Sequence, residues 1–255
     1  MRIPFMDFEQ SYIDPRKETF WDMIKLNFCP RLKFYSFTVL ISLANIIMFI
    51  YTSYQGLHIT EESKLLEQDQ QVLIKYGANV PSLIKNENQL WRFVTAAFLH
   101  ANFLHIFFNM ISTFIFVSSL EHTYGFFTVF YIWILSAIGG NIFSADFATQ
   151  NSIAVGASTA LFGMIGLYLA YLILNWNALR FLEDLRCFVL CMAILIVSMV
   201  FLLSSGNSGI MGGEKEQNID NYGHFGGFIT GILAGVAFPK SLEYGSYEKQ
   251  AKIFC

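Results

Sequence analysis

Ser158 and His224 stand in segments that are otherwise mostly apolar, where polar side chains are costly and usually functional. A serine hydroxyl beside a histidine base is a nucleophile for acyl transfer. His105 and Asn109 are four residues apart, so in a helix they lie on one face. Their N–H groups, together with the backbone N–H of Ser158, can donate hydrogen bonds to an oxyanion. We therefore predict that Ser158 and His224 form a catalytic pair, with Asn109 and His105 as oxyanion donors.

The sequence offers little support for other hydrolytic chemistries. No acidic residue falls where it would orient His224, so a Ser-His-Asp triad is not predicted; Phe162, one turn after Ser158, is an aromatic ring that can support the imidazole by packing. There is no HExxH pattern, and no metal or other cofactor is expected. Asp146 and Asp220 fall in loops or at the ends of apolar segments, which argues against paired catalytic aspartates.

The composition is that of an integral membrane protein. Of the 255 residues, 55% are hydrophobic and 14% are charged, and the mean hydropathy is +0.47. Soluble domains carry about 25% charged residues. The formal net charge is −3 and no block of basic residues occurs, so nucleic acid is not expected as a partner. The expected environment is the lipid bilayer.

Six apolar segments are long enough to cross a membrane as helices, for which about 20 residues are needed. We therefore predict an all-α polytopic membrane protein with a six-helix bundle at residues 34–239 and a polar outer loop at about 55–100. An N-terminal segment at 1–33 precedes the bundle and a tail at 240–255 follows it. The predicted spans are residues 34–54, 101–120, 125–144, 153–175, 187–205 and 222–238.

The basic residues predict the orientation of the chain. With six spans both termini lie on one side, and most of the 16 Lys and Arg residues fall on that side, which the positive-inside rule makes cytoplasmic. The first 30 residues lack an apolar signal-peptide core. Acidic residues such as Asp7, Glu9 and Asp14 interrupt any mitochondrial presequence. A secretory-pathway or cell-surface membrane is therefore favoured over mitochondria.

The glycine pattern of the sixth predicted span indicates close helix packing. A glycine recurs there every four residues, at Gly223, Gly227, Gly231 and Gly235, and forms a ridge without side chains. Such a ridge lets another helix approach closely. We predict that the fourth span docks on this ridge and brings the Ser158 hydroxyl to His224. The small residues of the fourth span that would allow this are Gly156, Gly163 and Gly166.

Four motifs of the sequence resemble those of the rhomboid family of intramembrane serine proteases. They occur in the family's order between about Leu73 and Gly235, on the predicted spans where the family has them. Each motif alone is weak, but their shared spacing makes the resemblance specific. The motifs are LWRFVTAAFLHANFLHIFFNM at 90–110, SLEHTYGFFTVF at 119–130, GASTALFGMIG at 156–166 and GHFGGFITG at 223–231.

The resemblance implies a six-span serine protease of the basic rhomboid form. By the matching motifs, Ser158 is the nucleophile and His224 is the general base and acid. Asn109 and His105, with the Ser158 backbone amide, correspond to the oxyanion hole.

The resemblance also implies structural roles around that centre. His100 matches a histidine near the outer mouth, and Trp91 and Arg92 match a loop that lies partly in the outer leaflet. Apart from the resemblance, the aromatic ring of Phe162 and the place of Gly227 in the glycine ridge lead us to expect that both support the site by packing. Arg92 is not expected to pair with Glu121, because the predicted topology puts the two on opposite sides of the membrane.

Two positions depart from the family's pattern. Thr159 replaces the glycine that usually follows the nucleophile, and its β-branched side chain is expected either to narrow the pocket or to alter the oxyanion geometry. Gly223 replaces the usual alanine before the histidine, a change between small residues that preserves close packing. Neither departure removes a catalytic group.

The leading functional prediction is an endopeptidase that cleaves single-span membrane proteins within or near the outer part of their transmembrane segment. Its partners are then transmembrane substrates and the bilayer, while the oligomeric state is not indicated. The alternative is a catalytically inactive rhomboid-like protein that binds membrane clients for trafficking or quality control. Ser158 and His224 argue against the alternative, and Thr159 argues for it. A channel or transporter would leave the spacing of the four motifs unexplained.

Overall fold

The computed structural model describes residues 35–58, 66–176 and 220–240. The predicted N-terminal segment, the fifth predicted span at 187–205 and the predicted tail beyond residue 240 lie outside these ranges. In chain order the elements are α1 (Phe37–Gly56), β1 (Leu57–His58), β2 (Glu67–Gln68), α2 (Gln70–Tyr76), α3 (Pro81–Glu87), α4 (Arg92–Thr95), α5 (Phe103–Tyr124), α6 (Phe126–Phe147), α7 (Ser158–Leu174) and α8 (Asn221–Ala237).

The prediction of a helical membrane protein is confirmed for the described ranges. There, three helices, α1, α5 and α6, are long and apolar enough to cross a membrane, and α7 is a shorter apolar helix. Together with α8 they coincide with five of the six predicted spans, with ends shifted by a few residues. The fifth span remains a prediction.

The predicted outer loop is folded rather than open between residues 66 and 100. Strand β1 pairs with β2 in antiparallel register, and α2 to α4 follow, with a 3₁₀ turn at Ala96–Phe98. Local signals define α2: the Asp69 side chain accepts a hydrogen bond from the Gln71 N–H, and Gly77 ends the helix with φ +108. A small core beneath these elements excludes water, and it consists of Leu73, Ala78, Val80 and Leu99.

Helix α7 is surrounded by the other helices. Nearly all of its residues are buried, and it packs mainly against α8 and α6. An evenly apolar helix such as STALFGMIGLYLAYLIL has no polar face to turn outward, so a central position suits it. Because Ser158 is the first residue of this helix, the nucleophile predicted from the sequence is fixed to the centre of the bundle.

Backbone meets backbone where α7 and α8 cross. A Cβ added at Gly231 would collide with the Gly163 carbonyl, and one at Gly227 would collide with the Thr159 carbonyl. Similarly, a Cβ at Gly166 would collide with the Phe228 carbonyl. These contacts agree with the predicted docking of the fourth span on the sixth.

Two of the predicted packing glycines lie elsewhere. Gly156 precedes α7 and has φ +133, a conformation that side chains rarely adopt, and it lies against His105 rather than α8. Gly223 faces the Asp220 carboxylate within its own helical turn. Helical periodicity could not separate these two from the true interface residues, because one stands outside the helix and the other in its first turn.

Helix α5 links the two ends of the bundle. Its N-terminal turns carry His105 and Asn109, a π-helical segment interrupts it at Thr113–Val117, and its last turn carries Glu121. The Glu121 carboxylate accepts hydrogen bonds from the Phe37 and Thr38 N–H groups, 2.7 and 2.9 Å away, and from the Thr38 hydroxyl. It thus caps the start of α1.

Candidate active site

The Ser158 hydroxyl and the His224 imidazole are in hydrogen-bond contact. Ser158 Oγ lies 2.8 Å from His224 Nε2. Ser158 is the first residue of α7, and His224 is the fourth residue of α8. Both side chains are short, so the contact requires closely spaced backbones, which the glycine at 227 allows by lying against the Thr159 carbonyl. The helix crossing therefore sets the distance between the predicted nucleophile and its predicted base.

A ring holds the imidazole from one side. The Phe162 ring stacks on His224 with centroids 4.5 Å apart and an interplanar angle of 18°. Phe162 is one turn after Ser158 on the same helix, so α7 supplies both the hydroxyl and the support. His224 Nδ1 has no hydrogen-bond partner among the described residues. In that part of the chain, packing rather than a carboxylate orients the His224 imidazole.

Asn109 and His105 approach the same place from α5. The Asn109 side chain donates one hydrogen bond to the His105 carbonyl at 2.8 Å, and Thr113 Oγ1 donates to the Asn109 carbonyl at 2.8 Å. An amide carries two N–H groups, so one Asn109 N–H remains available to a ligand. The amide is thus held by its own helix with a donor to spare.

Gly156 is the point where the two halves of the site meet. A Cβ added there would lie 2.7 Å from His105 Nε2 and 3.3 Å from Ser158 Oγ, so both groups border the same glycine. The Gly156 N–H donates to the Ala96 carbonyl at 2.9 Å. The missing side chain at Gly156 therefore lets the His105 imidazole come close to the segment that carries the Ser158 hydroxyl.

Three helix N-termini converge on the site. His105 is the third residue of α5, Ser158 the first of α7 and His224 the fourth of α8. Each N-terminus carries partial positive charge, which stabilises an anion in the first turn. The Asn102 side chain caps α5 by accepting the His105 N–H at 2.8 Å. An Asn or Asp before an apolar run is a known helix-start signal, and Asn102 could be recognised by it from the sequence.

His100 lies behind the site rather than in it. Its side chain is completely buried and meets the His105 ring edge-on, with centroids 5.2 Å apart. Burial, with a smaller contribution from His105, lowers the pKa of His100 well below its usual value. A neutral ring in this position packs against His105 and supports its orientation.

Trp91 and Arg92 are not part of the catalytic cluster. Arg92 is buried and donates hydrogen bonds to the Ile74 and Ala78 carbonyls at 2.8 and 2.9 Å. Its guanidinium also lies over the Trp91 ring, 4.7 Å from the centroid, while Trp91 itself is half exposed. These contacts tie α4 to α2, so the pair holds the outer segment together.

Thr159 points into the bundle. It is buried, and its Cγ2 methyl lies where a Cβ on Gly140 of α6 would be. Its backbone carbonyl faces Gly227. The side chain thus fills the hollow left by a glycine on α6.

The chain matches known proteins across the same region. A family model described as the Rhomboid domain matches residues 87–241. The chain is 36% identical over 172 residues to Rhomboid-like protease 1 of Toxoplasma gondii, covering 68% of this chain and 55% of that protein. It is 30% identical over 208 residues to Rhomboid-like protease 2 of the same organism, covering 82% and 67%.

A plant relative is similar to a comparable extent. The chain is 34% identical over 175 residues to RHOMBOID-like protein 6, mitochondrial, of Arabidopsis thaliana, covering 68% of this chain and 52% of that protein. The chain spans about half the length of most of these curated relatives.

Proposed function

The chain belongs to the rhomboid family of intramembrane proteases, and from this premise we propose that it is an active serine endopeptidase working through Ser158 and His224. It is an integral membrane protein. The observation that carries the proposal is the 2.8 Å contact between Ser158 Oγ and His224 Nε2. An inactive relative would have no need to hold these two short side chains together.

The proposed reaction proceeds in two steps. His224 Nε2 accepts the proton of Ser158 while Oγ attacks the scissile carbonyl, and the same imidazole then protonates the leaving amine. Water releases the acyl group by the reverse sequence. The Ser158 N–H, the free Asn109 N–H and the His105 imidazole donate to the oxyanion, helped by the N-terminus of α7.

The proposed substrates are single-span membrane proteins cut within or near the outer part of the transmembrane segment. A peptide bond inside a helix is shielded by its own hydrogen bonds, so the substrate must unwind locally. Gly and Pro weaken helices, and we expect them to favour cleavage when they stand near the scissile bond.

The proposed orientation places both termini in the cytoplasm, with residues 1–33 and 240–255 as cytoplasmic segments around the membrane domain at 34–239. The site then faces the opposite side of the membrane. We propose a secretory-pathway or cell-surface membrane. The name of one relative includes the word mitochondrial, so localisation of a tagged full chain against organelle markers is the direct test.

The test of activity compares the wild type with Ser158→Ala in proteoliposomes that contain a single-span substrate. Ser152→Ala is the matched control, because Ser152 lies in the segment just before α7 and its hydroxyl donates to the Thr149 carbonyl. Cleavage should be lost in Ser158→Ala and kept in Ser152→Ala. Cleavage that survives Ser158→Ala would overturn the serine mechanism.

A fluorophosphonate probe gives an independent readout that needs no substrate. The probe should label Ser158 in the wild type, and His224→Ala should abolish labelling, because the hydroxyl then loses its base. Labelling of Thr159 instead would show that another hydroxyl is the nucleophile. A wild type that neither cleaves several substrates nor reacts with the probe would indicate the client-binding alternative.

A further inference from the structure

The first turn of α8, which carries His224, is capped by the residue just before the helix. Asp220 precedes the helix, and its Oδ1 accepts the Gly223 N–H at 2.9 Å. The backbone carbonyl of Asp220 accepts the His224 N–H at 3.0 Å. Asp220 therefore binds the amide of His224 and the amide just before it, one through the main chain and one through the side chain.

The Asp220 carboxylate is buried against helix α6. It interacts with the Ser144 hydroxyl of α6, and Ser144 is buried. Asp220 Oδ2 is buried and has no hydrogen-bond partner among the described residues. Burial raises the pKa of this carboxyl, while the bonds from Gly223 and Ser144 oppose the rise. Such an environment does not require a negative charge, so an uncharged acceptor can occupy it.

Gly223 makes room for this arrangement. A Cβ at Gly223 would lie 2.9 Å from Asp220 Cγ and would collide with Oδ2. The glycine that departs from the family's usual alanine thus faces the capping carboxylate directly. Asp220 therefore contacts Gly223, and Gly223 directly precedes the proposed base, His224.

The placement of the His224 ring depends on this turn because the ring has few polar contacts of its own. Within the described residues, Nδ1 has no partner, Nε2 contacts the Ser158 hydroxyl, and the Phe162 ring stacks on one face. Loss of an N-cap side chain costs about 0.5–2 kcal/mol and loosens the first helical turn. A displacement of about 1 Å between reacting groups can lower a rate by about 100-fold.

We propose that Asp220 is a positioning residue, which holds the first turn of α8 so that His224 stays within reach of Ser158. The inference rests on the proposed protease function. Asp220 acts as a hydrogen-bond acceptor rather than as a charge, since its Oδ1 accepts the Gly223 N–H and no cation pairs with the buried carboxylate among the described residues. It is therefore distinct from the aspartate of a catalytic triad, which bonds the imidazole.

The test measures kcat and KM in proteoliposomes, with the rate of fluorophosphonate labelling of Ser158. Asp220→Ala should lower kcat and the labelling rate by about tenfold or more with little change in KM, because the defect lies in the dyad. Asp220→Asn should stay within about twofold of the wild type, because Asn is an equally good cap. Asp69→Ala, which removes the cap of α2 away from the site, is the matched control and should keep its kcat.

A second variant separates positioning from folding. Glycine at an N-cap costs only a few tenths of a kcal/mol, so Asp220→Gly should fold even where Asp220→Ala does not. Its kcat should still fall, because glycine lacks the carboxylate that bonds the Gly223 N–H beside His224. The thermal unfolding temperature of each variant is measured beside its kcat.

Each outcome decides the inference. Wild-type kcat in Asp220→Ala or Asp220→Gly would overturn it, and so would an Asp220→Asn as slow as Asp220→Ala, because the charge would then be the active feature. If Ser158→Ala cleaves like the wild type, the proposed function itself fails. If Ser158→Ala is inactive while Asp220→Ala is fully active, only the role of Asp220 fails.

Discussion

The α7–α8 crossing and the packing of α1 use opposite means to hold helices together. At the crossing, Gly231 lies against the Gly163 carbonyl with no side chain between the helices. Helix α1 instead begins with a large ring: Phe37 meets Phe126, Phe130 and Trp133 edge-on, with centroids 5.8–6.2 Å apart. One carboxylate, Glu121, then closes the start of α1.

The difference follows from what each interface has to do. The proposed base and nucleophile sit on α8 and α7, and their side chains are short, so only a contact between backbones brings Oγ and Nε2 to 2.8 Å. The described part of α1 carries no proposed catalytic residue, so long side chains can hold it at a distance. Glycine packing thus serves the chemistry, and aromatic packing serves stability.

Adding one methyl group at the crossing should have the largest effect. In Gly231→Ala the new Cβ would collide with backbone atoms of Gly163, which cannot move aside as a side chain can. We expect the helices to separate and the proteolytic rate to fall by about 100-fold, with about 1–3 kcal/mol of stability lost. The measurement is cleavage of a reconstituted substrate per folded enzyme.

Gly235→Ala is the matched control for that prediction. Its new Cβ would also crowd α7, at 2.6 Å from the Ala170 Cβ, but it lies on the same helix about three turns away from His224. It should lose less activity than Gly231→Ala. Equal activity of Gly231→Ala and the wild type would refute the idea that backbone contact sets the Ser158–His224 distance.

Weakening the cap of α1 should affect stability more than rate. Gln in place of Glu121 loses the charge and one acceptor oxygen, and hydrogen bonds to charged groups contribute about 1.5–3 kcal/mol each. Glu121 stands sixteen residues from His105, about 24 Å along a helix. We expect Glu121→Gln to lower the free energy of unfolding by about 2 kcal/mol, with kcat within about twofold of the wild type.

Denaturant titration in detergent micelles measures this effect. Glu87→Gln is the control, since the exposed Glu87 carboxylate accepts a hydrogen bond from the Gln89 side chain at the surface and contributes little. If Glu121→Gln lost as much kcat as Gly231→Ala, the packing of α1 would matter for the reaction as much as the α7–α8 crossing, and the comparison would be wrong.

Thr159→Gly should have the smallest effect on rate. The Thr159 methyl fills the hollow at Gly140, so its removal costs packing and helix propensity, about 1–3 kcal/mol together. We expect no gain in kcat, because the side chain does not face the hydroxyl. Thr159→Ser removes only the methyl group, so its stability should lie between those of the wild type and Thr159→Gly. A several-fold rise in kcat for Thr159→Gly would show instead that the threonine restrains the oxyanion region.

The helices and the contact between α7 and α8 could be predicted from the sequence, because apolar length and residue spacing are local properties of the chain. Apolar length located α1, α5, α6, α7 and α8 to within a few residues. The glycine period pointed to the α7–α8 contact, and the spacing of His105 and Asn109 placed them on one face. The role of Gly156 was misread, because a positive φ in a loop leaves no periodic signal.

The fold of the outer segment and the cap of α1 could not be predicted from the sequence. Arg92 reaches the Ile74 carbonyl across eighteen residues of chain, and Glu121 reaches Phe37 across eighty-four. Polar side chains that bond distant backbone groups look like solvent-exposed residues when only their neighbours in sequence are known. Asp220 differs, because it bonds the Gly223 N–H only three residues away, and an Asp before an apolar run is a helix-start signal within the sequence itself.

The sequence by itself determined that the protein lies in a membrane and which residue types could hydrolyse a peptide bond, since hydropathy and motif spacing are properties of the chain. Only the tertiary structure decided that Ser158 and His224 touch, that Thr159 turns toward Gly140 and that Asp220 holds the turn beside the base. The reason is distance. Side chains react over about 3 Å, and contacts of that length between separate helices exist only after the helices have packed.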